Sequence, residues 1–171
     1  MRAHAAKPRG TQRCRRPWGA LLAACLLICL GLAAAAATEP KFPERIGQLT
    51  LSKVVTRKAA QDSLNAIHER PIEVARAAIA YYQGPGASVV VWWSRASSPE
   101  AAQAQLERMV AKIGRGSYPY SQHRQLKRGA SVVHAFQGHG QTHYTWRRAD
   151  EVFWIAAPAR LIDSVFEAVM K

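Results

Sequence analysis

The stretch VVHAFQGHGQTHYTW, Val132 to Trp146, holds three of the chain's six histidines, and its strand register decides how the C-terminal half folds. Side chains alternate between the two faces of a strand, so the position of the reversal fixes the face each residue occupies. A turn centred on His139-Gly140 places Gln137 opposite Thr142, Phe136 opposite His143, and Ala135 opposite Tyr144. The next reversal, at Ala149-Asp150, places Trp146 opposite Phe153 and Tyr144 opposite Ile155. Both registers gather Val133, Ala135, Tyr144, Trp146, Phe153 and Ile155 on one apolar face. His134, Phe136, His143, Thr145, Arg147 and Trp154 then share the other, with His134 and His143 as diagonal neighbours.

Working outward, four short strands are expected at His123–Lys127, Ser131–Gln137, Gln141–Arg148 and Glu151–Ala156. Upstream, the arms EVARAAIAYY and ASVVVWWSR flank Gly84-Pro85-Gly86, which reads as a β-hairpin. In the second arm, Trp92 and Trp93 point to opposite faces. Three helices follow from periodicity and caps. The first is RKAAQDSLNAIHE after Thr56, with Ala60, Leu64 and Ile67 at helical spacing and Pro71 beyond its end. SSPEAAQAQLERMVAKIG has Ser98 as its cap, Pro99 in the first turn, Glu100 at the positive end and Gly114 as its stop. Its apolar stripe is Ala102, Leu106, Met109, Val110 and Ile113. The last helix starts at Pro158 and buries Leu161, Ile162, Val165, Phe166 and Val169. RIGQLTLSKVV, ahead of the first helix, reads as one extended segment.

The fold class expected is therefore α+β, a mainly antiparallel sheet with three helices packed on one face. Tyr81–Met109 and Tyr144–Met170 repeat the order tyrosine, turn, Val-and-Trp strand, proline, amphipathic helix and methionine. The element order β-α-β-β-α-β through Lys127 resembles a ferredoxin-like unit, which implies a pseudo-duplicated architecture but no activity.

The N-terminus reads as a separate unit. Arg2, Lys7, Arg9, Arg13, Arg15 and Arg16 precede the apolar run WGALLAACLLICLGLAAAAA, which ends in small residues. That is the pattern of a secretory signal peptide over residues 1–37, cut near Ala37. The same run approaches the length of a membrane span, so an N-terminal anchor in the inner membrane is the alternative. Arg15-Arg16 admits either the general secretory or the twin-arginine route. Residues 38–44 read as a Pro-containing linker with little to bury, and residues 45–171 as a single α+β domain. All three cysteines, Cys14, Cys25 and Cys29, fall in the leader, so the remainder folds without disulfides. Six of the 24 basic residues lie there and none of the 11 acidic ones does, which leaves the rest of the chain at +7.

The chemical signals are few. No Gly-x-Ser-x-Gly elbow, carboxylate pair or phosphate-binding loop is present, so the sequence points away from an enzyme and implies no cofactor. A metal needs three or four converging ligands. His134 and His143 are two candidates, and His139 sits at the turn. The open sheet face formed by Trp92, His134, Phe136, His143 and Trp154 reads as a contact surface for a protein or small molecule in the cell envelope, or for a second copy of the chain. Lys127, Arg128, Arg147 and Arg148 fall at one end of the sheet, where they are candidates for an anionic surface. Export and the lack of a recognition motif argue against nucleic acid. The function expected is an exported, periplasmic or secreted, non-enzymatic binding or accessory domain. The alternatives are a metal- or cofactor-binding envelope protein using His134 and His143, and a membrane-anchored protein.

Overall fold

Strand Ala87–Arg95 runs ASVVVWWSR, five successive apolar residues with no polar side chain to turn toward water. Such a strand is stable only where both faces of its sheet are covered, and that is its position in the computed structural model, which describes residues 39–66, 71–115 and 119–171. The strands are β1 (Arg45–Ile46), β2 (Leu49–Thr56), β3 (Arg76–Gly84), β4 (Ala87–Arg95), β5 (Ser121–Arg128), β6 (Ser131–Gly138), β7 (Gln141–Arg148) and β8 (Glu151–Ala157). The helices are α1 (Arg57–Ala66), α2 (Pro99–Gly114) and α3 (Ile162–Met170). Residues 1–38, which hold the expected leader, and Ile67 of the first helical stripe lie outside the described residues.

All eight strands form one antiparallel sheet in the order β1-β2-β3-β4-β8-β7-β6-β5. Two meanders meet along the central β4–β8 pair. The registers expected for the last hairpins are those observed: Phe136 faces His143, Ala135 faces Tyr144, Trp146 faces Phe153 and Tyr144 faces Ile155. At the first reversal His139 and Gly140 have φ of 52° and 71°. Left-handed backbone at both turn residues matches the twist of the flanking strands.

The helices do not share a face, which corrects the one-sided arrangement expected. On one face, Tyr144, Trp146, Phe153, Ile155, Val91 and Trp93 pack with Ile162, Val165 and Phe166 of α3. On the other, Ala60 and Leu64 of α1 pack against Ala77 and Ile79, and Ala102 of α2 packs against Ala96 and Val152. The face bearing His134, Phe136, His143 and Trp154 is thus partly covered, by α1 over β2 and β3 and by α2 over β5, β7 and β8, where a helix-free face was expected. The reason lies in β4 and β8. Both are apolar on two faces, and a single helical layer leaves one of them wet.

The element order β-α-β-β-α-β is present from β2 to β5, but the strand order within the sheet is not the ferredoxin-like one. That fold interleaves its strands, whereas β2 and β3, joined through α1, are direct neighbours here. The two repeat-like segments send their helices to opposite faces, so the shared residue order does not make a symmetric pair.

Nine residues of α3 cover their side of the sheet because the sheet curls. α3 touches β1 as well as β7 and β8, although β1 and β7 are five strands apart, about 24 Å in a flat sheet. The N-terminal segment closes the same core. Phe42 packs on it, Pro43 O accepts a 3.0 Å hydrogen bond from the Tyr82 hydroxyl, and Glu44 O accepts one of 2.9 Å from Leu51 N. These residues, expected as a linker with little to bury, are docked. Two further boundaries differ from the sequence reading. Gly47, at φ 60°, folds RIGQLTLSKVV into a hairpin. Pro158–Leu161 makes a turn closed by Leu161 N to Pro158 O at 2.8 Å, so α3 begins at Ile162.

One buried carboxylate ties the central seam. Glu151 Oε1 accepts from Trp93 Nε1 at 3.1 Å and from Arg95 Nη2 at 2.8 Å, while Oε2 accepts from Arg148 at 2.9 Å. Glu151 pairs with Arg95 across β4–β8 and is only 8% exposed. Removing one partner of a buried ionic group leaves the others unpaired. Glu151→Gln is expected to lower unfolding free energy by about 2–4 kcal/mol, read as a drop in urea midpoint. An unchanged midpoint contradicts this role for the seam.

Candidate functional site

The roof over the second face is incomplete. Between α1 and α2 lies a cleft of about 640 Å³, inside the roughly 300–1,000 Å³ usual for small-molecule sites. Its floor is Trp92, Trp154, Val152 and Ala156; Leu64 and Ile72 form one wall, and Met109, Lys112 and Ile113 of α2 the other. Tyr120, His139, Gln141 and His143 close one end.

Local bonds hold each wall. Gln61 Nε2 donates to Ile72 O at 2.8 Å and Ile72 N donates to Asn65 Oδ1 at 3.2 Å, which folds the segment after α1 back against the helix. α2 starts as its sequence requires, with Ala101 N donating to the Ser98 cap at 3.1 Å. Gln105 Nε2 then donates to Ser94 Oγ at 3.1 Å, and Arg147 Nε donates to Gln103 Oε1 at 2.9 Å, anchoring the helix to β4 and β7. Trp92 and Trp154 are direct cross-strand partners.

His143 is the pivot of the aromatic end. Trp154 Nε1 donates to its Nδ1 at 2.9 Å, and its Nε2 lies 3.0 Å from Gly138 O. An indole only donates and a carbonyl only accepts. His143 is therefore the neutral tautomer with its proton on Nε2, and both ring nitrogens are used. Burial also holds its pKa below the ordinary value of 6.5, against the Gly138 bond. A base or a metal ligand needs a free lone pair, so His143 acts as a structural clamp for Trp154. Tyr120 packs edge-on against His143, Trp154 and His139. It lies so close to the turn that a Cβ on Gly138 would sit 2.5 Å from its ring. Gly138 is thus the residue that admits Tyr120.

His134 belongs to a different group. A β-bulge between Ser121 and Arg124, with Gln122 at φ 53°, swings His123 onto this face. His123 stacks on Phe136 at 4.7 Å, and Phe136 lies parallel to Trp154 at 6.2 Å. His123 Nε2 sits 3.1 Å from His134 Nδ1, and the 5.4 Å between ring centroids equals that distance plus the two ring radii. The imidazoles meet edge to edge along a shared N–H···N line, with no common point for a metal. His134 and His143 are each committed elsewhere, and no group of three or more metal-ligating side chains occurs among the described residues.

Trp92, Phe136, His143 and Trp154 thus meet on one face as the register requires, with Phe136 fully buried beneath it. The four cations at the sheet end do not converge. Arg128 bonds Asp163 at 2.8 Å and Arg148 bonds Glu151, Arg147 turns to Gln103 on the other face, and Lys127 remains exposed. Sequence reading missed Tyr120 and His123. Tyr120 is a loop residue with no periodicity to mark it, and His123 reaches the site only through a bulge.

Compared with protein-family models and with curated proteins, the chain matches none.

Burial lowers the pKa of both His134 and His143, with the neighbouring His123 adding to the first and His139 to the second. Each group is therefore more readily protonated in the unfolded chain than in the folded one. Their stabilisation is full above pH 6.5 and is lost as pH falls through the lower folded values. The urea midpoint is expected to decline between pH 6.5 and 5, and His143→Gln to flatten that decline. A wild-type midpoint that holds or rises over this interval contradicts the assignment.

Proposed function

We propose that this chain is an exported binding domain that takes a small apolar ligand in the cleft between α1 and α2. One observation carries the reading. The helical cover on this face stops short over two tryptophans of the central strands, and the gap has the volume of a small-molecule site and mainly apolar walls. Two of the polar groups that could carry chemistry there are engaged: His143 by Trp154 and Gly138, and Ser94 by Gln105. Binding therefore suits the cleft better than catalysis.

Export rests on the leader: a basic start, an apolar run and small residues up to Ala37, all ahead of a domain without cysteine. Cleavage there releases the domain outside the cytoplasm, and retention anchors it to the membrane. Intact-mass measurement of the protein from its producing cell is expected to give a start between Ala34 and Glu39. A mass that includes Met1 contradicts release.

Binding is tested with N-phenyl-1-naphthylamine, a neutral fluorophore that brightens in apolar surroundings. Wild-type protein is expected to enhance it saturably at one site. Ala156→Leu, which adds bulk to the cleft floor, is expected to weaken that binding about tenfold, or ~1.4 kcal/mol. A folded variant that binds equally well contradicts the reading.

A further inference from the structure

We infer that the flank formed by the C-terminal half of α2 and by β5 is a docking surface for an anionic lipid bilayer. From Arg108 to Ala149 the chain has eight Lys and Arg and no Asp or Glu. That stretch carries +8, so the rest of the chain beyond the leader sums to −1 and the whole positive excess lies in one block. Half of these cations are engaged within the fold. Arg128 bonds Asp163, Arg148 bonds Glu151, Arg147 bonds Gln103, and Lys112 is engaged as well. The other four, Arg108, Arg115, Arg124 and Lys127, are exposed and make no ion pair among the described residues.

The fold draws these four together. Arg108 and Arg115 are seven residues apart, about two helical turns, and so share one side of α2. α2 ends against β5: a Cβ on Gly114 would sit 3.4 Å from His123 Nδ1, so Arg115 and Arg124 flank one junction. Lys127 follows on the same edge strand. Opposing charge is small. Glu107, the acid beside Arg108 in sequence, stands about 100° round the helix from it and bonds Gln103 at 2.7 Å. The half-unit of negative charge at the end of α2 is met by Arg115, whose Nε donates to Ala111 O at 2.9 Å.

Cations and a bulge on an edge strand discourage pairing with another strand. That accounts for β5 and argues against an added β-strand as the occupant. It does not account for Arg108 and Arg115, which stand on a helix. Cations spread over two elements suit a surface of many headgroups better than a single bound anion. Val132, 54% exposed, is the cross-strand partner of Lys127 and puts an apolar side chain beside it, a mixture suited to a lipid interface. Met109 and Ile113, from the same half of α2, wall the cleft, so docking holds the cleft near a store of apolar molecules. That last point alone rests on the reading of the cleft as a binding site.

The test is co-sedimentation of the exported protein with vesicles of phosphatidylcholine alone or with about one-third phosphatidylglycerol. The anionic vesicles are expected to bind at least about tenfold more tightly. Raising NaCl from about 0.1 to 1 M, which shortens the screening length from ~10 to ~3 Å, is expected to abolish that binding. A variant combining Arg108→Gln, Arg115→Gln, Arg124→Gln and Lys127→Gln is expected to lose at least about tenfold, since each cation near such a surface contributes roughly fivefold. A matched variant, Lys41→Gln, Arg45→Gln, Lys53→Gln and Arg76→Gln, removes the same charge from exposed positions elsewhere and is expected to lose less than about threefold. Equal loss in the two variants ascribes the binding to net charge and overturns the assignment. So does wild-type affinity in the first variant, or equal binding to both kinds of vesicle. Capture by polyglutamate with no binding to anionic vesicles moves the surface to an acidic protein and also overturns it. N-phenyl-1-naphthylamine is read on the same samples: its binding without vesicle binding ends the docking proposal alone, and the reverse ends the cleft reading alone.

Discussion

The constraint on which this structure depends is that its two central strands have no wet side. Val89 to Trp93 in β4 and Val152 to Ala157 in β8 are apolar at every position, and they pair with each other. Alternation sends half of those side chains to each face, so a single helical layer leaves a hydrophobic surface exposed. Cover on both sides follows. The ionic cluster at Glu151 holds the seam where the two meanders join, and Trp93 links that cluster to the core.

The two covers are unequal, and the inequality produces the site. On one face the sheet curls around α3 and closes with Phe42 and β1, leaving a core in which Trp93, Trp146, Phe153 and Val165 are essentially inaccessible. On the other, α1 sits over β2 and β3 while α2 crosses toward β7, β8 and β5. The gap between these helices falls over Trp92 and Trp154. Large side chains there keep an apolar floor in place, and His143 fixes one of them by accepting a hydrogen bond from its indole N–H. A neutral, doubly bonded histidine positions a ring at low cost, whereas a charged one at the same depth carries a desolvation penalty.

Much of this was legible in the sequence, for definable reasons. The hairpin registers follow from period-two alternation anchored by Gly140 and Ala149-Asp150, and a slip of one residue mixes core with surface. α2 was legible because Ser98, Pro99 and Gly114 mark its ends. What escaped was long-range. Alternation says which residues share a face but not which helix lies on it, so the histidine face read as helix-free when α1 and α2 cover part of it. His123 escaped because a bulge breaks the count of two, and Gly47 because one turn glycine inside an apolar segment resembles a weak strand position. Tyr120 owes its place to the absence of a side chain at Gly138, a relation between elements that no local pattern carries.

The most direct test is to watch the indole N–H resonances of the four tryptophans beyond residue 38 while N-phenyl-1-naphthylamine is titrated into ¹⁵N-labelled protein. Trp92 and Trp154 floor the cleft, and Trp93 and Trp146 lie in the opposite core. The prediction is that the first two signals move together and saturate while the second two stay in place. Movement of Trp93 and Trp146 in place of the floor pair, or no movement of any indole at saturating ligand, contradicts the assignment of this face as the binding surface.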